Sequence, residues 1–352
     1  MTRLVTCGYE TGDVNELGVN GGQAGGVSVV NATPTPRAGG NWCVKCTTAS
    51  SNQYSYKTFG IPARSELWLR FGFYLHWVTY SGTALVLMQA TDAAASAQID
   101  LEYQNADGLL RVRRGNQGTI LITTPIAFTQ DTWHVIEWHI QILSTTTGQT
   151  DLYVDGTFMG TFSGQVANTS TLNVAGFQFG VTNYGNTSGA GTYTAFDDIA
   201  INDVSGTINN QRIGDGRVVL LLPTGAGSVT TLTRGGADSG ANWSQLNEIP
   251  PSVAQYVGSA NPGDRDLYAM SDLPANVTVN SVEAIALAQN TDAGAGSLGM
   301  TIKSGATTNE ATAAALGTSA AYVGARWETD PNTGAAWTLA AVNAVEAGLT
   351  VR

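Results

Sequence analysis

The stretch "DTWHVIEWHIQILSTTTGQTDLYVDGTFMGTF", Asp131–Phe162, decides the fold class. Ile136, Trp138, Ile140 and Ile142 stand at alternate positions, with Glu137, His139 and Gln141 between them. A period of two places one set on a dry face and the other on a wet face, which is a strand. "TTTGQT" then supplies turn residues, "DLYV" runs back, and Asp155-Gly156 signals a second tight turn.

Neighbouring segments repeat the pattern. "SELWLRFGFYLHW" alternates Leu67, Leu69, Phe71, Phe73 and Leu75. "TALVLMQA", "AQIDLEYQ", the turn "NADG", "LLRVRRG", "GTILITT", "VAGFQFGV" and "AFDDIAIND" follow the same logic. Many short strands joined by turns predict a sandwich or jelly roll.

Composition agrees. The chain has 352 residues, long enough for two domains. Charged residues make up 12%, against about 25% in an average globular chain. Hydrophobic residues make up 43%, enough for a core, and glycine is abundant at 42. The net charge of −11 speaks against nucleic acid, since the basic "RVRRG" (Arg111, Arg113, Arg114) reads as a solvated strand end. "MTRLVTCGYETGD" has no apolar run, so no signal peptide is expected and synthesis is expected in a cytoplasm. No window is long enough for membrane insertion. "CVKC" (Cys43, Cys46) has no second CxxC to complete a zinc site, so these thiols and Cys7 read as structural.

After Asp203 the texture changes. "VSGTINNQRIGDG" is polar and rich in Gly and Asn. It reads as a linker, 206–216, between a first domain, 1–205, and a second, 217–352. "RVVLLLPT", "QYVG", "DLYAMSDL", "VNSVEAIALAQ", "LGMTIKS", "AAYVGARWET" and "AGLTVR" predict further strands. "NEATAAALGTSAA" reads as loop or strand, its alanines being interrupted by Thr, Gly and Ser.

Taken in order, "GYETGD", "TWHVIEWHIQI", Gly148, "DLYVDG" and "FDDIAIND" resemble the concanavalin A-like, laminin-G-like jelly roll over residues 1–205, and more narrowly its copies in tailed-phage virion proteins. "NNQRIGDGRVVLLLPTGAG", "ANWSQLNE", "RDLYAMSDL" and "DPNTGAAWTLAAVNAVEAG" resemble the segment that follows it there. The expected fold is therefore all-β: an N-terminal jelly-roll sandwich plus a second, smaller β-sandwich-like domain. The resemblance implies a non-enzymatic virion structural protein, a tail-fibre or tail-tip adhesin, with a capsid decoration or head-fibre protein as the alternative. The implied partners are other virion proteins of tail or capsid, further copies of the chain, with a trimer as one form, and a host surface glycan.

Three sets of site residues follow. "QIDLE" resembles the E-x-D-x-E strand of glucan hydrolases built on the same sandwich, in which the first carboxylate is the nucleophile and the last the acid/base. Here the first position is Gln98, which cannot be ionised, leaving Asp100 and Glu102. A glycan-cleaving enzyme is thus a third functional alternative, against a strand that merely has a wet face. Trp77, Tyr80 and Tyr184, near strand ends in "HWVTYSG" and "TNYGNTSGAG", are candidates for a glycan surface, against plain packing. Glu10, Asp197 and Asp198 match the terminal acids that hold a structural calcium in similar carbohydrate-binding modules. The competing role is a pair of turn and solvent contacts. No cofactor is required otherwise.

Overall fold

The computed structural model describes residues 3–22, 26–48, 54–78, 84–182, 190–236 and 239–352. The chain divides into two compact units, Met1–Val218 and Val219–Arg352.

Among the described residues the first unit has fifteen strands: β1 (Arg3–Cys7), β2 (Val19–Gly22), β3 (Gly26–Val30), β4 (Cys43–Thr47), β5 (Ser55–Arg64), β6 (Glu66–His76), β7 (Ala84–Thr91), β8 (Ala97–Gln104), β9 (Leu109–Arg114), β10 (Ile120–Thr123), β11 (Trp133–Ile142), β12 (Gly148–Val154), β13 (Thr157–Ser163), β14 (Val174–Val181) and β15 (Tyr193–Asp203). They form two sheets. The first, eight-stranded, runs β13-β12-β11-β6-β15-β4-β3, with β1 added on β15. The second, seven-stranded, runs β10-β9-β8-β7-β14-β5-β2.

The alternation seen in the sequence sets which face is dry. On β6, Leu67, Leu69, Phe71, Phe73 and Leu75 are all buried. They lie opposite Ile140, Trp138, Ile136 and their neighbours of β11, in antiparallel register. From the second sheet come Ile99, Leu101 and Tyr103 of β8 and Phe177 and Phe179 of β14, and all join one continuous core. Burying one such side chain contributes about 1.5–3 kcal/mol, so the shared core dominates the stability of this unit. The hairpin β12–β13 turns on Asp155 (φ 49) and Gly156 (φ 77). Two successive positive φ values match the right-handed strand twist.

β1 pairs with β15, Val5 opposite Ile201 and Cys7 opposite Ile199, so the ends of the unit meet in one sheet. The 206–216 stretch read as a linker is fastened to the sandwich. Arg212 pairs with the buried Glu137, Asp215 with Arg37, and the Gly216 carbonyl accepts from Arg70 at 2.7 Å. Its Gly and Asn content permits the turns but does not set it free.

The second unit contains β16 (Pro223–Thr230), β17 (Thr233–Gly235), β18 (Tyr256–Gly258), β19 (Arg265–Met270), β20 (Val282–Ala288), β21 (Ser297–Ser304), β22 (Thr307–Glu310), β23 (Ala314–Ala315), β24 (Ala321–Trp327) and β25 (Glu346–Val351). A six-stranded sheet runs β16-β19-β25-β21-β22, with β23 on β21, and β17-β18 and β20-β24 form small pairs. Its own core gathers Ile302, Trp327, Trp337 and Leu349. Two expectations differ here. "RVVLLLPT" is strand only from Pro223, and Leu339–Asn343 forms a short helix, α1, capped by the Thr338 hydroxyl, which accepts from the Ala341 N–H at 3.1 Å.

Candidate functional site

Strand β8 turns Ile99, Leu101 and Tyr103 into the core, so Gln98, Asp100 and Glu102 stand on the outer face of the second sheet. All three are buried nonetheless. Their partners differ, and so do their roles.

Gln98 clamps a loop. Its carbonyl oxygen accepts from the N–H groups of Asn168 (2.8 Å) and Thr169 (3.1 Å), and its amide donates to the Thr169 hydroxyl at 3.0 Å and to the Thr171 carbonyl. An amide suits this position because it donates and accepts at once, which a carboxylate cannot do. The place expected for a nucleophile is thus a structural anchor.

Asp100 is held differently. One oxygen accepts from the Gln117 N–H at 2.7 Å, and the other has no hydrogen-bond partner among the described residues. Burial pushes its pKa up to about 8; the Gln117 N–H and Arg113 pull it down and the Glu102 charge adds to the rise. At neutral pH the carboxyl therefore keeps its proton. Glu102, two residues on, is paired with Arg113, whose Nε lies 3.0 Å from the carboxylate. A neutral acid and an arginine-held carboxylate thus share one strand face, the arrangement that separates acid from base roles.

The row continues across the sheet. Asp100 lies opposite Arg113 of β9 and Gln89 of β7, Gln89 opposite Gln178 of β14, and Gln178 opposite Thr58 of β5. Gln89, Gln178, Thr58 and Arg113 are half-buried, which leaves amides, a hydroxyl and a guanidinium at the surface. Arg111, opposite Glu102, pairs with Asp107 at 2.6 Å and keeps its Nε without a partner among the described residues. Sequence reading missed Arg113 and Gln117 as parts of the site. The signal was the cross-strand register of the "NADG" hairpin, which places "RVRRG" beside "QIDLE".

The other candidates fare differently. Trp77 is corrected: it is only 7% exposed and packs on Tyr103, ring centroids 5.9 Å apart, as part of the core. It shares the parity of Leu67 to Leu75, a signal already in the sequence. Tyr80 and Tyr184 lie outside the described residues.

Glu10, Asp197 and Asp198 do come together, because a register shift in β15 between Asp197 and Ala200, with Asp198 at φ 54, re-aims both aspartates. Glu10 and Asp197 converge on Gly40, where an added Cβ would meet Glu10 Oε1 at 2.6 Å and Asp197 Oδ2 at 3.3 Å. Burial first, then neighbouring carboxylates, pushes Glu10 up to about 7 and Asp197 up to about 9. Their oxygens already accept hydrogen bonds, those of Glu10 from the Asn41 N–H and those of Asp197 from the Arg37 and Asp198 N–H groups. Asp198 is corrected as a calcium ligand: one oxygen accepts from Arg37 at 2.8 Å and the other from the Val218 N–H at 2.7 Å. Among the described residues no group of three or more metal-ligating side chains converges, so backbone oxygens would have to complete the shell.

No family model matches the chain, and no curated protein matches it. Among solved structures it is similar to an endo-β-1,4-glucuronan lyase from the fungus Trichoderma reesei, at 17% identity and TM-score 0.45, over 57% of this chain and 95% of that one. It is also similar to the cellulose-induced protein Cip1, at 16% identity and TM-score 0.45, over 60% and 100%. A third is the carbohydrate-binding module CBM66 from Bacillus subtilis, at 7% identity and TM-score 0.34, over 53% and 98%. At such identities the likeness is one of fold, a jelly-roll sandwich. It corrects two expectations. In place of the expected virion roles and the expected lack of enzymatic activity, the structures the chain is similar to are named as polysaccharide lyases and a carbohydrate-binding module.

Proposed function

We propose that the first unit cleaves a polysaccharide on the outer face of its second sheet, with Asp100 as proton donor and Glu102 as base. One observation carries this: a carboxyl held neutral by burial stands two residues from a carboxylate held by Arg113. A strand rise of about 3.3 Å per residue sets their Cα atoms roughly 7 Å apart. That is comparable with the roughly 6.5–9.5 Å between carboxyl groups that leaves room for a water in single-displacement cleavage.

Asp100 gives its proton to the glycosidic oxygen as the bond from that oxygen to the anomeric carbon breaks. Water adds to the carbon and passes a proton to Glu102. Asp100 regains its proton from solvent, and Glu102 releases to solvent the proton it took from water. Asp100 lies against the β9–β10 turn, from which the Gln117 N–H donates to it, and Glu102 lies against Arg113.

The test is incubation with neutral and with uronate-containing polysaccharides, following new reducing ends and the ultraviolet absorbance of an unsaturated uronate. Activity should fall at least 100-fold in Asp100→Asn and Glu102→Gln, general acid–base catalysis contributing about 10²–10⁴. Unsaturated product would replace hydrolysis with elimination. No cleavage of any polysaccharide would reject the enzyme. A glycan-binding face without cleavage is the second reading, favoured by the near-complete burial of both carboxylates.

A further inference from the structure

The outer face of the first sheet carries a second cluster, unconnected with Asp100. Tyr74 and His76 of β6 point outward, since Phe73 and Leu75 fill the core. Trp133 lies opposite Tyr74, and Tyr193 opposite His76. The rings touch in sequence: Trp133 to Tyr74 at 5.6 Å, Tyr74 to Tyr193 at 5.9 Å with planes 2° apart, and Tyr193 to His76 at 4.9 Å. A wet sheet face is ordinarily polar, so the half-buried rings of Trp133, Tyr74 and His76, backed by the buried Tyr193, call for a partner.

The rings are held in place. Trp133 Nε1 donates to the Thr35 carbonyl at 2.7 Å. Lys45 Nζ sits 3.9 Å from the centre of the Tyr193 ring and donates to the Thr33 carbonyl at 3.0 Å. Asp131 adopts a left-handed φ of 58, its N–H donating to the Leu75 carbonyl, and its carboxylate lies 2.7 Å from His76 Nδ1. Aspartate adopts this region more readily than most residues, and here it accompanies the contact between the carboxylate and His76. Nδ1 is engaged by Asp131, which leaves Nε2 as the ring nitrogen free to meet a ligand. The His76 and Asp131 side chains are 38% and 55% exposed.

We infer that this cluster is a saccharide-binding platform: the half-buried Tyr74 and Trp133 rings contact a sugar face, Tyr193, buried and covered by Lys45, braces Tyr74, and His76 with the Asp131 carboxylate hydrogen-bonds the sugar hydroxyls. A preorganised aromatic surface with acceptors at its rim suits a polyhydroxylated ring, which has an apolar face and an edge of donors. A protein partner fits less well, because the centres of such interfaces are depleted in lysine and aspartate, and Lys45 and Asp131 stand within the cluster.

The experiment is affinity electrophoresis of the full chain in gels containing soluble xylan, mixed-linkage glucan or alginate, with folding of each variant checked by circular dichroism. His76→Ala and Asp131→Gly should bind at least about tenfold more weakly than the parent, and Trp133→Ala more weakly still. Val253→Ser, at an exposed position of the second unit, should be retarded like the parent. Unchanged retardation of His76→Ala and Asp131→Gly overturns the inference. So does the lack of retardation in every gel, or a concentration-dependent dimer of the parent that Trp133→Ala abolishes, which would assign the face to a second copy.

Discussion

At the scale of single residues, strand β8 shows how one face can hold three different chemistries. Gln98 is a clamp, so its loss should be structural: Gln98→Ala strands the N–H groups of Asn168 and Thr169, and should cost about 1–3 kcal/mol in urea unfolding. A cost near zero would mean that the 168–173 loop does not depend on it. Asp100 gives a pH signature. Its folded pKa, about 8, lies above the ordinary carboxylate value. The folded state therefore binds the proton more tightly than the unfolded one. That contribution is complete below about pH 4, fades as pH rises, and is lost above about pH 8. Asp100→Asn keeps the neutral shape, so its stability should vary less between pH 4 and 8 than that of the parent. Equal slopes would place the proton elsewhere. Glu10 and Asp197 carry the metal expectation. Calcium should raise the melting temperature and a chelator lower it, and Glu10→Gln should remove both effects. A melting curve indifferent to calcium would leave the two acids sharing a proton instead.

At the scale of elements, alternation was the readable signal, because each long strand has one dry and one wet face. β6 and β11 follow from their apolar positions alone, and the same parity would have sent Trp77 inward. "RVVLLLPT" misled for a physical reason: a continuous apolar run has no period, and Leu220 to Leu222 precede the strand rather than form it. The site was half legible. Asp100 and Glu102 could be placed on one face, but Arg113 and Gln117 reach them through hairpin register and a turn, which sequence specifies only weakly. The Asp155-Gly156 turn is the local device most open to test. Gly156 sits at φ 77, so Gly156→Ala should cost about 1–2 kcal/mol and lower the melting temperature. A neutral outcome would mean that β12 and β13 pair through another turn.

At the scale of the whole molecule, the two units have separate cores, drawn from Val5 to Ile201 in one and from Leu232 to Leu349 in the other. Calorimetry should therefore resolve two transitions. Where the first unit ends is a sharper question. Composition suggests a boundary before the polar 206–216 stretch, yet that stretch neutralises charge inside the sandwich. Arg37 holds Asp198 and Asp215, the Gly216 carbonyl accepts from both Arg37 and Arg70, and the Val218 N–H reaches Asp198. Arg37, Arg70 and Asp198 are all buried. A fragment ending at Val218 should fold and unfold cooperatively. A fragment ending at Ser205 keeps every strand but loses these partners, along with the Arg212 that faces Glu137. Buried charges left without a partner cost about 3–5 kcal/mol, so the shorter fragment should melt well below the longer one. Guanidinium unfolding of the two fragments measures the difference. Equal midpoints would show that the segment merely lies on the sandwich, whereas a large gap would make it the last structural element of the jelly roll, joined by charge where the strands are joined by hydrogen bonds.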